Sequence, residues 1–266
     1  MALGRIKIGN FPVSRVIIGG NPFSGFSHQS PARDDQMRHY YTVARIKDTL
    51  RQAELLGINT HLARADAHVV RYLMEYRDEG GQMQWFAQTA PEFGGILRGV
   101  ETAIQGGAQG VYIHGGVMDH LLANGRLDEV PPALERIRAA GLPAGVAGHD
   151  PRIFQWAEKN VDCDFYLCSY YRPTMRDKSP EHPAGAVEAF DPADRGAMVA
   201  LIRRLSRPVI HYKVLAAGRA DPHEALAFVA CHLRPQDAVC LGFFLQDKPT
   251  MIEEDLRLLE EALAKA

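Results

Sequence analysis

Cysteine is scarce in this sequence, and basic excess, long apolar runs and low-complexity stretches are missing. The four cysteines, Cys163, Cys168, Cys231 and Cys240, have spacings that match neither a zinc knuckle nor a dense disulfide framework, and read as reduced core thiols of a cytoplasmic protein. No segment offers the eighteen or so uncharged apolar residues that a membrane span needs. The opening, MALGRIKIGNFPVSRVIIGG, interrupts its apolar positions with Arg5, Lys7 and Arg15, so it lacks the continuous centre of a signal peptide. Thirty Lys and Arg oppose 32 Asp and Glu, for a net charge of −2, and the two signs alternate along the chain. That excludes a basic footprint for nucleic acid or anionic lipid. No glycine fingerprint for a nucleotide phosphate precedes a helix, and no serine elbow suggests a hydrolase triad. The expected partner is a small molecule; nothing in the residues fixes the oligomeric state.

What is present is a core-forming chain, 46% hydrophobic and 23% charged. Short β-branched or aromatic runs alternate eight times with longer amphipathic segments, the pattern of a parallel sheet with crossover helices. The predicted strands are 16–20, 58–62, 83–88, 110–114, 144–147, 165–169, 209–214 and 238–243. The predicted helices are 43–56, 69–77, 96–104, 131–140, 151–159, 192–205, 222–233 and 251–263. Gly57, Gly80, Gly106 and Gly141 follow apolar-periodic segments, where a left-handed C-terminal cap suits glycine. Asp150-Pro151, Asp191-Pro192 and Asp221-Pro222 each place an N-cap acid before an N1 proline. Eight such units in 266 residues predict one α/β domain over 1–266, a single (β/α)8 TIM barrel. The two longest irregular stretches, 21–41 and 170–190, would then lie over the catalytic face.

Several segments carry a family resemblance. LGRIKIGNFPVSRVIIGG, read as two short strands before the first barrel strand, resembles the opening of aldo/keto reductases, where a β-hairpin plugs the barrel bottom. GINTHLARAD resembles that family's second strand and GVYIHGGVMD its fourth, which carries an active-site histidine, here His114. GVAGHDPRIFQWAEKN and DFYLCSYY resemble the fifth and sixth units. HYKVLAAGRADPHEALAFV and AVCLGFFLQDKPTMIEEDLRLL resemble the seventh and eighth. The resemblance implies a TIM barrel with an N-terminal β-hairpin.

The same comparison implies that the reductase machinery is dismantled. Of an acid, a tyrosine, a lysine and a histidine, only the histidine remains, because the other three positions fall at Leu62, Ala67 and Gln88. Ala147, Gly148 and Leu167 replace the residues that hold the nicotinamide carboxamide, while Tyr212 keeps the position that stacks on the ring. Fold does not transfer function.

Polar residues at the predicted strand ends therefore define the candidate chemistry. The catalytic candidates are His114, Gln88, His149 and Lys213, the last as an amine nucleophile that could form a Schiff base. The substrate-binding candidates are Asn21, His28, Arg64, Ser169, Tyr170 and Tyr212, and Arg64, Arg172 and Arg176 could hold a carboxylate or phosphate. His114, His149, His61 and His211 would converge on a divalent metal, zinc with imidazoles alone or manganese with added carboxylates from Asp66, Glu92 or Asp150. Strand alternation opposes part of that set, since His61 and Leu62, or His211 and Tyr212, cannot both face the lumen. Trp85, Phe86 and Phe93 read as core. The resulting expectation is a non-redox enzyme acting on a small polar, carbohydrate-like molecule by histidine or metal-assisted acid/base chemistry. The alternatives are a divergent NADPH-dependent reductase and an inactive barrel used for binding.

Overall fold

A computed structural model describes residues 3–90, 95–181 and 188–266. Glu92 and Phe93 lie outside the described residues. The chain opens with an antiparallel hairpin, β1 (Arg5–Ile8) and β2 (Phe11–Ser14), in which Arg5 faces Ser14 and Ile8 faces Phe11. Eight parallel strands follow: β3 (Val16–Gly19), β4 (Thr60–Arg64), β5 (Gln84–Gln88), β6 (Gly110–Ile113), β7 (Ala144–Gly148), β8 (Phe165–Ser169), β9 (Val209–Tyr212) and β10 (Ala238–Leu241). They close into a barrel in sequence order, with β10 paired to β3. The TIM barrel and its hairpin are thus those expected from the sequence.

The helical layer holds ten α-helices among the described residues: α1 (Pro31–Tyr40), α2 (Val43–Leu55), α3 (Ala67–Asp78), α4 (Ile96–Gln105), α5 (Gly115–Ala123), α6 (Pro131–Ala139), α7 (Pro151–Asn160), α8 (Pro192–Ile202), α9 (Pro222–Ala230) and α10 (Met251–Leu263). The three Asp-Pro starts behave as read, with Asp150, Asp191 and Asp221 accepting from the amides of Arg152, Ala193 and Glu224. Gly57, Gly80 and Gly141 are left-handed, but Gly106 is not; Gly107, at φ +76°, takes that turn.

Two helices depart from the expectation. The stretch 21–41 is not wholly irregular, because α1 occupies its second half, capped by Ser30 and started by Pro31. Its residues, PARDDQMRHY, bury only Met37, so there is no apolar stripe to read. Helix α5 starts on Gly115-Gly116 and buries six of its nine residues, so it too lacks a clear stripe.

Lumen packing follows from strand parity. Ile17, Leu62, Phe86, Tyr112, Phe165, Leu167 and Ile210 point inward and form one buried cluster with Ile6, Ile8 and Val13 of the hairpin. Large and small residues alternate across it: a Cβ on Gly110 would sit 2.7 Å from the Phe86 ring, and one on Gly145 would sit 2.7 Å from the Phe165 ring. Those two rings meet edge to face at 5.6 Å, and Phe11 of the hairpin meets Phe86 at 6.4 Å. The hairpin is pinned below by the side-chain amides of Asn59 and Gln84, which each donate to the Pro12 carbonyl at 2.8 Å. The floor is therefore sealed, and polar groups of the lumen are confined to the opposite, C-terminal mouth. Trp85 lies on the outer face of β5, donating to the Ala63 carbonyl, and Phe86 on the inner face, so both are core. Of the cysteines, Cys163 and Cys168 are buried and Cys240 is half-buried in the lumen wall, whereas Cys231 is exposed and corrects the reading of four core thiols. No helix among the described residues is long and apolar enough to cross a membrane.

Candidate active site

Above the apolar lumen layer, the inward positions turn polar. Arg64 and Gln88 end β4 and β5 side by side in register, and the Tyr112 hydroxyl lies 3.4 Å from Gln88 Oε1. His114 is the N-cap residue of α5, its amide tied to Thr89 Oγ1 at 3.0 Å. Its buried Nδ1 has no hydrogen-bond partner among the described residues. Burial holds this imidazole well below the usual histidine range, and Arg64, His149, Arg176 and Lys213 push it further in the same direction. His114 is therefore neutral, and the four groups that act on it surround one mouth.

His149 follows β7 and is buried. Its Nδ1 donates to Asp119 Oδ2 at 2.5 Å, and Asp119 Oδ1 accepts the backbone amides of His149 and Asp150 at 3.1 and 3.3 Å. That fixes the tautomer and leaves Nε2 as an acceptor, 3.3 Å from the Tyr212 hydroxyl, which also lies 3.4 Å from the Gly148 carbonyl. Gly115 has to be glycine, since a Cβ there would stand 2.9 Å from that hydroxyl and 3.1 Å from the His149 ring. Asp119, on α5, is the carboxylate that sequence reasoning did not find. The signal was its place four residues after Gly115, legible only once α5 is recognised as a helix.

A second cluster stands at the rim. His28 Nδ1 donates to Glu188 Oε1 at 2.9 Å, and its Nε2 faces Asn21 Nδ2 at 3.2 Å and Lys213 Nζ at 3.4 Å. Asn21, His28 and Lys213 are thus brought together, with Glu188 as a further partner absent from the sequence reading. Burial lowers the Lys213 ammonium to about 8, with Glu188 opposing and Arg176 and Arg219 reinforcing. Arg176 is 7% exposed and donates to the Glu181 carbonyl at 2.7 Å, while Arg64 lies under the exposed Phe26 ring. Arg172 turns away to Asp150 Oδ2 at 3.0 Å.

Most of the remaining candidates do not join the site. His61 points out of the barrel, donating from Nδ1 to the Ile18 carbonyl at 2.9 Å and accepting the Tyr72 hydroxyl on Nε2 at 2.7 Å; burial lowers it to about 4. His211 also points outward, between Asp237 Oδ2 at 3.3 Å and the Tyr170 hydroxyl at 2.9 Å. With both ring nitrogens engaged behind the wall, neither can meet His114 and His149 at a common ion. Among the described residues no group of three or more His, Cys, Asp or Glu side chains is placed to hold a metal. Asp66 caps α3, and Asp150 caps α7. Tyr170 is consumed by the outer network; Ser169 Oγ donates to the Tyr171 carbonyl at 2.6 Å and lies beside Tyr212, with which it is in register.

No protein-family model matches the sequence, and no curated protein is recognisably similar to it. Solved structures do match its fold. A proposed aldo-keto reductase of Pseudomonas aeruginosa aligns over 97% of this chain and 96% of its own, with TM-score 0.65 and 15% identity. An aldo-keto reductase of Bacillus halodurans aligns over 99% and 96%, with TM-score 0.62 and 11% identity. An archaeal fructose 1,6-bisphosphate aldolase aligns over 94% of each chain, with TM-score 0.51 and 13% identity. The chain is thus a divergent barrel like those of aldo/keto reductases, and the same architecture serves an aldolase, so architecture alone does not choose the chemistry.

A nicotinamide cofactor, which the resemblance implies, does not find its usual holders here. Ala147 and Leu167 are buried without a polar side-chain atom, and Gly148 has no side chain. Inward Leu62 has no proton to exchange.

Proposed function

We propose that this chain is an enzyme that moves a proton to or from the carbon beside a carbonyl group, in a small polar molecule that carries a carboxylate or phosphate. The single observation that carries this reading is the Asp119–His149 contact inside the barrel mouth, with Tyr212 on the far nitrogen. A histidine whose Nδ1 is held by a buried carboxylate presents Nε2 as a base and gains stabilisation when it becomes positive; such positioned groups contribute about 10²–10⁴ in rate. Neutral His114 at the start of α5 is suited to polarise the carbonyl without releasing a full proton. Arg64, whose Nε also pairs Asp66 at 3.3 Å, and Arg176 stand at the mouth as guanidiniums suited to hold an anionic group on the substrate.

The test is solvent exchange: 2-oxo acids, hydroxyaldehydes and triose phosphates are incubated with the protein in deuterium oxide and followed by proton NMR. Catalysed loss of the signal beside the carbonyl, slowed about 10²-fold or more in His149→Gln, is expected. Exchange that survives that substitution intact overturns the assignment.

A second reading, reduction of a carbonyl compound by NADPH, is favoured by the barrel's likeness to aldo-keto reductases and by Tyr212 at the end of β9. Titration with NADPH, followed by nucleotide fluorescence, separates the two. Saturable binding without solvent exchange puts the second reading in place of the first.

A further inference from the structure

We propose that Lys213 is a covalent catalytic residue, its ε-amine condensing with an aldehyde or ketone carbon, with His28 as its proton partner and Glu188 as a positioning residue. The proposal deepens the proton-transfer reading and rests on it for the step that follows. Strand β9 ends at Tyr212, and the next residue leaves it with φ +58°; His28, on the loop after β3, has φ +56°. Left-handed backbone is uncommon for either residue type and persists where surrounding structure enforces it. Both distortions aim the two side chains at each other across the rim, Nζ to Nε2 at 3.4 Å.

The partner chemistry suits a nucleophile better than a structural cation. The hydrogen-bond partner of Nζ among the described residues is an imidazole rather than a carboxylate. That imidazole is oriented by Glu188, whose side chain is 3% exposed, so its Nε2 lone pair is turned to Asn21 Nδ2 at 3.2 Å and to the amine at 3.4 Å. The Phe190 ring lies 6.0 Å from Nζ, limiting water on that side. Of seven lysines, the others lie on the hairpin, on helices or at exposed loop positions, Lys178 among them on the loop after β8. Burial, which lowers the ammonium to about 8 and so leaves a larger neutral fraction at pH 7 than an exposed lysine has, supports the same role.

The step balances without a redox partner. The neutral amine adds to the carbonyl carbon, and the proton displaced from nitrogen passes to His28 Nε2. That proton passes on to the alkoxide oxygen, giving the neutral carbinolamine. A second proton, taken up by His28 from solvent, goes to the hydroxyl, which leaves as water as the carbon–nitrogen double bond forms and the nitrogen keeps one hydrogen and the positive charge. The resulting iminium draws electron density from the neighbouring carbon, whose proton His149 accepts.

Formaldehyde with cyanoborohydride tests this in the native protein, because the smallest carbonyl enters any mouth and each imine is trapped as a methylamine. Methylation is followed for each lysine by peptide mass spectrometry at pH 7. Lys213 is expected to react about tenfold faster than exposed Lys159 and Lys178, and His28→Gln to slow Lys213 alone by about tenfold. Glu188→Gln is expected to move the pH profile of Lys213 labelling, a readout that a purely structural role leaves in place. Labelling of Lys213 no faster than Lys159 overturns the proposal. If trapping fails while solvent exchange still depends on His149, only the covalent step is lost; if trapping succeeds while exchange ignores His149, only the proton-transfer reading is lost.

Discussion

Asp119 holds His149 twice, through Nδ1 at 2.5 Å on one carboxylate oxygen and through the backbone amide at 3.1 Å on the other. One residue of α5 thereby sets both the ring tautomer and the course of the chain leaving β7. Asp119→Asn keeps an oxygen for the backbone amides but cannot stabilise a positive imidazole. Its turnover in the exchange assay is expected to fall about 10²–10⁴-fold with little change in melting temperature. A fall in melting temperature that accounts for the lost activity assigns Asp119 to structure alone.

Lys213 makes stability depend on alkaline pH. Its folded value, about 8, lies below the ordinary 10.5, so the unfolded chain binds a proton that the native chain lacks between those limits. Stability therefore rises with pH through that window, and the whole penalty is present below it, at roughly 1.4 kcal/mol per pKa unit. Lys213→Met is expected to melt at least about 2 °C higher at pH 7, the gain shrinking towards pH 10.5. A melting difference independent of pH contradicts the argument.

Phe165 fits the lumen because Gly145 faces it without a side chain. Gly145→Ala puts a methyl 2.7–2.9 Å from three ring carbons, overpacking that costs about 1–3 kcal/mol. The double substitution Gly145→Ala, Phe165→Leu is expected to recover part of the loss in urea unfolding, whereas additive losses count against direct contact.

Behind the wall, Asp237 is fully buried and accepts from the Val209 amide at 2.9 Å, from Arg234 Nε at 2.7 Å and from His211. Burial pushes its carboxyl up, yet His211 and Arg234 together hold it below the ordinary carboxylate value. Asp237→Ala strands a buried guanidinium edge and an amide, and is expected to cost about 3–5 kcal/mol, read by urea unfolding. Asp237→Asn is likewise expected to lose stability, whereas Asp119→Asn in the mouth is expected to spare it, so like substitutions separate a structural acid from a catalytic one.

Thiol reactivity gives an independent check on the wall. Exposed Cys231 is expected to react with an aromatic disulfide reagent within the mixing time. Burial raises the Cys163 and Cys240 thiols to about 12, so both should wait for denaturant. One fast thiol per native chain fits; two or more do not.

The strands were legible because β-branched runs and turn residues repeat with one period, and the Asp-Pro caps fixed three helix starts to the residue. Helices α1 and α5 were not, since one is polar apart from Met37 and little else and the other apolar apart from Asp119 and His120, and periodicity needs a contrast between faces. The same omission hid Asp119. His114, His149, Lys213 and His28 were legible as types at strand ends, but their partners were not, because Glu188 reaches His28 across 160 residues of sequence. Strand parity alone predicted that His61 or Leu62, and His211 or Tyr212, would face the lumen, and the inward member in each case is the non-histidine.

Residues 211 and 212 give that parity a wider meaning. Each belongs to an Asp, His, Tyr trio, one made of Asp237, His211 and Tyr170 behind the wall and the other of Asp119, His149 and Tyr212 within it. The trios share chemistry and nearly share a peptide bond, yet one is sealed and the other opens on the mouth. An inventory of reactive residue types would count them as duplicates. A single inserted residue in β9 would turn His211 into the mouth and Tyr212 into the wall, parting each from its trio while Asp119 and His149 stay where they are.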